Sequence, residues 1–545
     1  MELVRVDRQR SEALINIVSA LYGKLLVVFG VALAITEAIA DHNHTIRYDA
    51  FYLYLYVGSI AYLFYVYVAH LKERTVRRAK ERATRDSPAE RQHGAAVAGQ
   101  RGDPEVRYGS FYLRVGVAAF GFGSALYSAL ALGRYFERSA AEGCADVTVA
   151  VNPVARTAFV ILQMAFVFAN NGKGQNLMCI LGFSTHVRRA LQFLASPAHA
   201  AVSRFGLAHM IAANLCKWLY VVVQEARVDI SGGEEARNAS LQETQSPRGG
   251  DPCWTSRAVA SAMRDAAPYL FPCTVEYSLL CSVILAAMWR SVRDASCDPG
   301  RRARKRSSGV NVIYARSVSQ FSVDLSRAGK GLFLGLVAAA ASALSLLVFA
   351  ELEAGAAVRQ ADACEAALYA SAAAASVCGL VAVRSLPRRP DRRRLQLEHA
   401  LLFAAHGGLL LYLVFLMAGG FFDADVAADP WRVMKVLTPA SALVQSCCQT
   451  LLVVDAWRRA CSTPDQLRRK PGRQHVTFLL VANVCMWAVN RLLNNRPWSH
   501  PAMARFYGAR AWTIITHVCV PLVMCYRFQS SVCLYEIWMH VYKMQ

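Results

Sequence analysis

Charge is scarce in this chain: 18% of its 545 residues are Asp, Glu, Lys or Arg, where a soluble globular protein carries roughly a quarter. Beside 55% hydrophobic residues, that shortage excludes an ordinary soluble domain. There is no Walker-type phosphate loop, no credible dinucleotide fingerprint and no Cys/His pattern at zinc-ligand spacing. His42 and His44 make too small a cluster for a metal site. ATP-driven pumping and membrane redox chemistry are thereby disfavoured, the chain is not expected to be an enzyme, and no cofactor or metal is called for. A cleavable signal is also missing, because the first apolar run is of membrane length, follows the charged segment Arg5 to Glu12 and lacks a small-residue cleavage site.

Long apolar runs are what the chain does have. About 20 apolar residues cross a bilayer as a helix, and spans are expected near 16–40, 50–70, 111–133, 154–171, 204–226, 268–290, 329–351, 364–384, 398–420, 434–456, 474–493 and 509–533. The expected fold is therefore an all-α polytopic membrane protein of about twelve transmembrane helices. The net charge of +22 does not point to nucleic acid, since the basic residues sit in alternate loops, as in Arg77 to Arg85, Arg301 to Arg306 and Arg388 to Arg394. By the positive-inside rule those loops and both termini are cytoplasmic. Two N-glycosylation sequons, at Asn43 and Asn238, fall after spans one and five on the opposite side. Cys144 and Cys253 lie in extracellular loops, where they can pair.

The spans repeat. Gln163 in Ile161–Phe168 recurs as Gln449 in Cys447–Val454, Ala213-Asn214-Leu215-Cys216-Lys217-Trp218 recurs as Ala482-Asn483-Val484-Cys485-Met486-Trp487, and Pro272, Tyr277 and Trp289 recur as Pro521, Tyr526 and Trp538. Three matches in one order imply two copies of a six-helix unit, and an even number of spans per copy gives both the same orientation, as parallel repeats. The halves are read as residues 1–292 and 328–545, joined by a basic cytoplasmic linker over 293–327. Residues 72–107 and 231–252 read as mobile loops, and 172–203, with His186, Arg188 and Arg189, as a cytoplasmic amphipathic segment or insertion.

Ionisable or strongly polar groups inside a bilayer are costly, so each is a functional candidate. Glu276 stands about nine residues into its span, roughly 13 Å deep, with Tyr277 about 100° round the helix. Gln163 and Gln449 hold matching places and both donate and accept hydrogen bonds, which suits orienting water or protons, or equally tying helices together. Asn214 and Asn483 carry the same two readings. Glu225 near the outer end of span five accepts protons from outside or is a solvated end residue. His209, His406 and His517 titrate near neutral pH or simply pack, and Lys217 and Arg527 need partners or snorkelling routes. Asp423, Asp425 and Asp429 form an acidic loop cluster that reads external pH, binds divalent cations or is plainly solvated.

These motifs resemble a known family. Pro471-Gly472-Arg473-Gln474-His475-Val476-Thr477-Phe478-Leu479-Leu480-Val481-Ala482-Asn483, Phe506-Tyr507-Gly508, Trp512 to His517 and Tyr526-Arg527-Phe528 are similar to the C-terminal signature of the otopetrins, especially the invertebrate branch. The likeness extends to Ser19 to Lys24, Arg204 to His209 and Glu276 to Leu279 and covers nearly all spans. It implies a plasma-membrane proton-selective channel opened or modulated by extracellular acid, a homodimer with two six-helix halves per subunit and lipid, sterol being a candidate, at its centre. The family's routes run through each half and between halves. Gln163, Tyr277 and Gln449 match its polar positions, Glu225 matches a Glu seven residues after the span-five Trp, and Glu276, Asn483 and Tyr526 complete the proposed path. Asn214, His209, His517 and Arg527 are secondary candidates. The chain departs from the pattern at Tyr220 and Gln529, which replace titratable or amide groups of some members. A secondary transporter with the same parallel repeat is the alternative reading.

Overall fold

The computed structural model describes residues 2–39, 49–85, 111–139, 148–169, 199–241, 258–297, 327–352, 354–388, 397–422, 432–494 and 501–542. Twelve helices among them are long and apolar enough to cross a membrane. In chain order these are α1 (Glu2–Ile39), α2 (Asp49–Arg85), α3 (Phe111–Ser139), α4 (Thr148–Ala169), α5 (Ala200–Leu241), α6 (Ala258–Cys297), α7 (Gly329–Glu351), α8 (Ala354–Val383), α9 (Leu397–Phe422), α10 (Arg432–Trp457), α12 (Arg473–Asn494) and α14 (Ala509–His540), with the short α11 (Pro464–Arg469) and α13 (Pro501–Tyr507) between the last three. The only extended pairing among the described residues is a single bridge between Arg388 and Arg459. The all-helical, twelve-span expectation holds.

Two compact units form, one of Met1–Val223 with Ser246–Val310 and the other of Gln224–Gln245 with Asn311–Gln545. Each packs its helices in the same way. In the first, α3 lies against α4 and α6, and α2 against α4; in the second, α9 lies against α10 and α14, and α8 against α10. Small residues set the closest approaches, as expected where lipid removes any hydrophobic drive between helices. A Cβ on Gly206 of α5 would collide with the Tyr62 ring of α2, and one on Gly331 of α7 with the Gln474 carbonyl of α12. Large apolar side chains such as Phe64, Phe122, Phe333 and Leu347 stand outward, as a lipid-facing surface requires. A proline interrupts α4 at Pro153 and α10 at Pro439, ten residues before Gln163 and Gln449 respectively, which frees a backbone carbonyl in each first turn or two.

One non-helical connection is built by local chemistry. Thr463 caps α11, its hydroxyl accepting from the Gln466 N–H at 3.3 Å, with Pro464 at the first helical position, and Lys470 closes the helix in the left-handed region at φ 44°. Beside it, Asp455 accepts from Arg459 Nε at 2.9 Å and from Arg388 Nη2 at 3.3 Å, which ties the ends of α8 and α10.

The structure corrects three boundaries. Residues 72–85 and 231–241, expected as loop, continue α2 and α5, because extending an existing helix through Arg-, Glu- and Ala-rich sequence is far easier than starting one. Asn238 therefore falls on α5 rather than in a loop. Span eight begins earlier than 364, since α8 starts at Ala354 and brings Asp362 into the span with Glu365. Asn43, His42, His44, Cys144, Cys253, the Asp423 to Asp429 cluster, Arg301 to Arg306 and most of 172–203 lie outside the described residues.

Candidate functional site

At the centre of the first unit Gln163 of α4 and Asn214 of α5 clasp each other through both amides. Gln163 Nε2 donates to Asn214 Oδ1 at 3.1 Å, and Asn214 Nδ2 donates to Gln163 Oε1 at 2.8 Å. Asn214 Nδ2 also reaches the Met210 carbonyl at 2.8 Å. Tyr277 of α6 closes the group, accepting from Gln163 Nε2 at 3.2 Å and donating to the Val160 carbonyl at 3.0 Å. All three side chains are fully buried. Buried amides of this kind are stable only because each donor finds an acceptor.

The second unit repeats the arrangement almost atom for atom. Gln449 Nε2 donates to Asn483 Oδ1 at 3.1 Å, Asn483 Nδ2 donates to Gln449 Oε1 at 2.8 Å and to the Leu479 carbonyl at 2.7 Å. Tyr526 donates to the Ser446 carbonyl at 2.9 Å, and Ser446, like Val160, precedes its Gln by three residues. The six predicted residues Gln163, Asn214, Tyr277, Gln449, Asn483 and Tyr526 thus form two similar clusters.

Their surroundings differ. In the second unit the clasp is extended on α10 by Gln445, whose Nε2 donates to Gln449 Oε1 at 2.9 Å and whose Oε1 accepts from Arg527 Nη1 at 2.6 Å. Thr450 Oγ1 lies 3.0 Å from the Tyr526 hydroxyl, and His406 stacks on the Tyr526 ring at 5.1 Å with its Nε2 3.2 Å from Ser446 Oγ. The Arg527 guanidinium rests 5.4 Å from the centroids of both Tyr369 and Tyr526 and has Glu365 as an electrostatic partner, while Asp362 faces Lys435 in the same way. Tyr369 donates to Asn490 Oδ1 at 2.8 Å. In the first unit a lysine stands beside the clasp. Lys217 Nζ lies 5.6 Å from the Tyr277 ring centroid and donates to Ser124 Oγ at 3.1 Å.

The remaining predicted residues lie apart from the clasps. Glu276 is buried beside Tyr277 but on another side of α6. His209 ties α1, α2 and α5 together, its Nδ1 2.9 Å from the Tyr22 hydroxyl and its Nε2 3.0 Å from the Leu55 carbonyl. That carbonyl can only accept, so the proton sits on Nε2 and the ring accepts from Tyr22. Glu225 falls with the second unit, where its Oε2 lies 3.9 Å from His517 Nε2; His517 Nδ1 donates to the Thr513 carbonyl at 2.7 Å. Gln529 is buried, its amide donating to the Glu398 carbonyl at 3.1 Å.

Sequence reasoning missed Gln445, Thr450, Asp362, Glu365, Tyr369 and Asn490. A signal for Gln445 was present, since it stands one helical turn before Gln449 and shares its face. For Asp362 it was the late placement of span eight that hid it, whereas Glu365 stood just inside the expected span.

Twelve membrane-length helices around two buried amide–phenol clusters, with ionisable side chains inside the spans, define a polytopic membrane protein of the channel or transporter class. The otopetrin family model matches residues 112–249 and 233–528, and the chain belongs to the otopetrin family. It is 35% identical to proton channel OtopLc of Drosophila melanogaster over 98% of its own length, although it spans only about a third, 36%, of that relative. It is 22% identical to human proton channel OTOP2, covering 80% of this chain and 83% of the relative. Proton channel OTOP1 of Danio rerio is 20% identical, covering 96% of this chain and 91% of that protein.

Proposed function

We propose that this protein is a proton channel of the plasma membrane, admitting protons to the cytosol when the outside is acidic, and not an enzyme. The relatives named as proton channels support the conducted species, and the observation that carries the reading is the doubled Gln–Asn–Tyr clasp buried within the spans. An amide does not release its proton readily, but it donates and accepts at once, so a Gln–Asn pair that parts can orient a file of water along which protons pass. With both amides satisfied by each other and the Tyr proton held on a backbone carbonyl, the clasp is read as a closed gate. Opening replaces the clasp bonds by bonds to water.

The route in the first half runs past Gln163, Glu276 and Tyr277, and in the second past Gln449, Asn483 and Tyr526, with Glu225 beside His517 in the second unit rather than on the first-half route. Both termini and the basic loops face the cytosol, two parallel halves of residues 1–292 and 328–545 are joined by 293–327, and two chains pair with lipid, sterol among the candidates, at their centre. The test is whole-cell recording with external acid in sodium-free solution. The expected outcome is an inward current whose reversal potential follows the proton gradient; acid without current, or a reversal indifferent to pH, sinks the reading, and saturable substrate-coupled flux would favour a transporter.

A further inference from the structure

We propose that the first half holds a buried site for a small monovalent anion, with chloride the expected occupant, between Arg156 of α4 and Lys217 of α5 and lined by Ser124, Ser128 and Thr274. Lys217 is 1% exposed and lies ten residues from the end of the Ala200–Arg227 span, about 15 Å along the helix. Arg156 Nε donates to Ser128 Oγ at 2.8 Å and Lys217 Nζ donates to Ser124 Oγ at 3.1 Å. Ser124 and Ser128 are one turn apart on α3, so the two cations face the same strip of hydroxyls about 6 Å apart along it, and they interact electrostatically. Among the described residues no carboxylate pairs with either. Among the described residues these cations also face the rings of Tyr127 and Tyr277 and the Cys281 thiol.

The hydrogen-bond inventory points the same way. Ser124 Oγ accepts from Lys217 and from Thr274 Oγ1 at 3.2 Å, which leaves its own O–H to donate. Ser128 donates to the Ser124 carbonyl at 2.9 Å while it accepts from Arg156. An ammonium has three N–H groups and a guanidinium five, and neither accepts, so the donors of this cluster outnumber its acceptors. Water would bring as many donors as acceptors and no charge. A halide only accepts, from any direction, and supplies the negative charge that the buried Lys217 and the half-buried Arg156 beside it need. The second half has no counterpart: in register, Arg156 corresponds to Ala442, Lys217 to Met486 and Thr274 to Val523.

The site does not depend on proton conduction, and its test does not measure it. Thermal unfolding of the full-length protein in detergent is followed while potassium gluconate is exchanged for potassium chloride at constant ionic strength and pH. A saturable rise on the order of 2 °C is expected, reproduced by bromide and absent with sulfate. Arg156→Gln and Lys217→Met should abolish the rise, Lys330→Gln on α7 should keep it, and Ser128→Ala, which leaves both charges and the packing in place, should weaken it. The proposal is overturned if chloride gives no shift, if sulfate gives the same one, or if Arg156→Gln and Ser128→Ala both respond as the natural protein does.

Discussion

The two halves use one clasp in two electrostatic settings. Gln163 with Asn214 and Gln449 with Asn483 agree to within about 0.1 Å in every shared bond, yet the residues next to them and one turn away have been exchanged. Where α10 has Gln445 and Thr450, α4 has Phe159 and Met164, and where α14 has Arg527, α6 has Ser278. The second clasp is therefore linked through Gln445 to a guanidinium that has acids beside it. The first has Phe159 at the matching place and meets Lys217 at the Tyr277 ring, with no carboxylate paired to it among the described residues. Duplication preserved the part that must be satisfied by its own members and left the charges free to diverge. The halves are accordingly expected to share a gate and differ in what they hold near it.

The largest effect should come from removing the second-half cation. Arg527→Leu leaves Gln445 Oε1 buried without its charged donor, a loss of about 1.5–3 kcal/mol, read as a lowered unfolding temperature of the full-length protein. If Lys217→Leu in the first half costs as much, the contrast drawn between the settings fails. Next come the clasps themselves. Asn214→Leu and Asn483→Leu each strand a buried Gln amide at a cost of about 1–3 kcal/mol, whereas replacing both members of a clasp by Leu should cost less than the single changes add up to. Double-mutant cycles should give similar coupling in the two halves, and a coupling confined to one would break their equivalence.

Conduction offers a sharper comparison. With Gln445 linking its clasp to Arg527, on which Glu365 acts electrostatically, the second half is the better proton route, so Gln449→Leu should lower the acid-evoked current roughly tenfold, equivalent to about 1.4 kcal/mol of barrier, and Gln163→Leu should lower it less. Equal losses would mean both halves carry current. The smallest effect belongs to Thr450→Met, which converts the second clasp to the first-half pattern and removes one hydrogen bond to Tyr526 at about 0.5–1.5 kcal/mol; an unchanged unfolding temperature would show that bond to be idle.

Much of the fold was legible in the sequence, and the clasp in part. Span number and the two copies were readable because apolar length and polar punctuation are local properties of the chain. Gln163, Asn214, Tyr277 and their partners stood out because each breaks an apolar run at a repeated place. The departures were also local in origin: α2 and α5 outran their apolar segments, and the acids of α8 masked its beginning.

What the sequence determined by itself was therefore twelve membrane-length helices in two similar sets, with a Gln, an Asn and a Tyr at matching places in each. Only the tertiary structure decided that Gln163 meets Asn214, 51 residues away, that Lys217 reaches Ser124, 93 residues away, or that Gln445 bridges to Arg527. These meetings depend on how each helix is turned about its axis. In a membrane that rotation leaves little trace in hydrophobic periodicity, because the lipid-facing and the buried faces of a helix are both apolar, and close packing and interhelical hydrogen bonds set it instead.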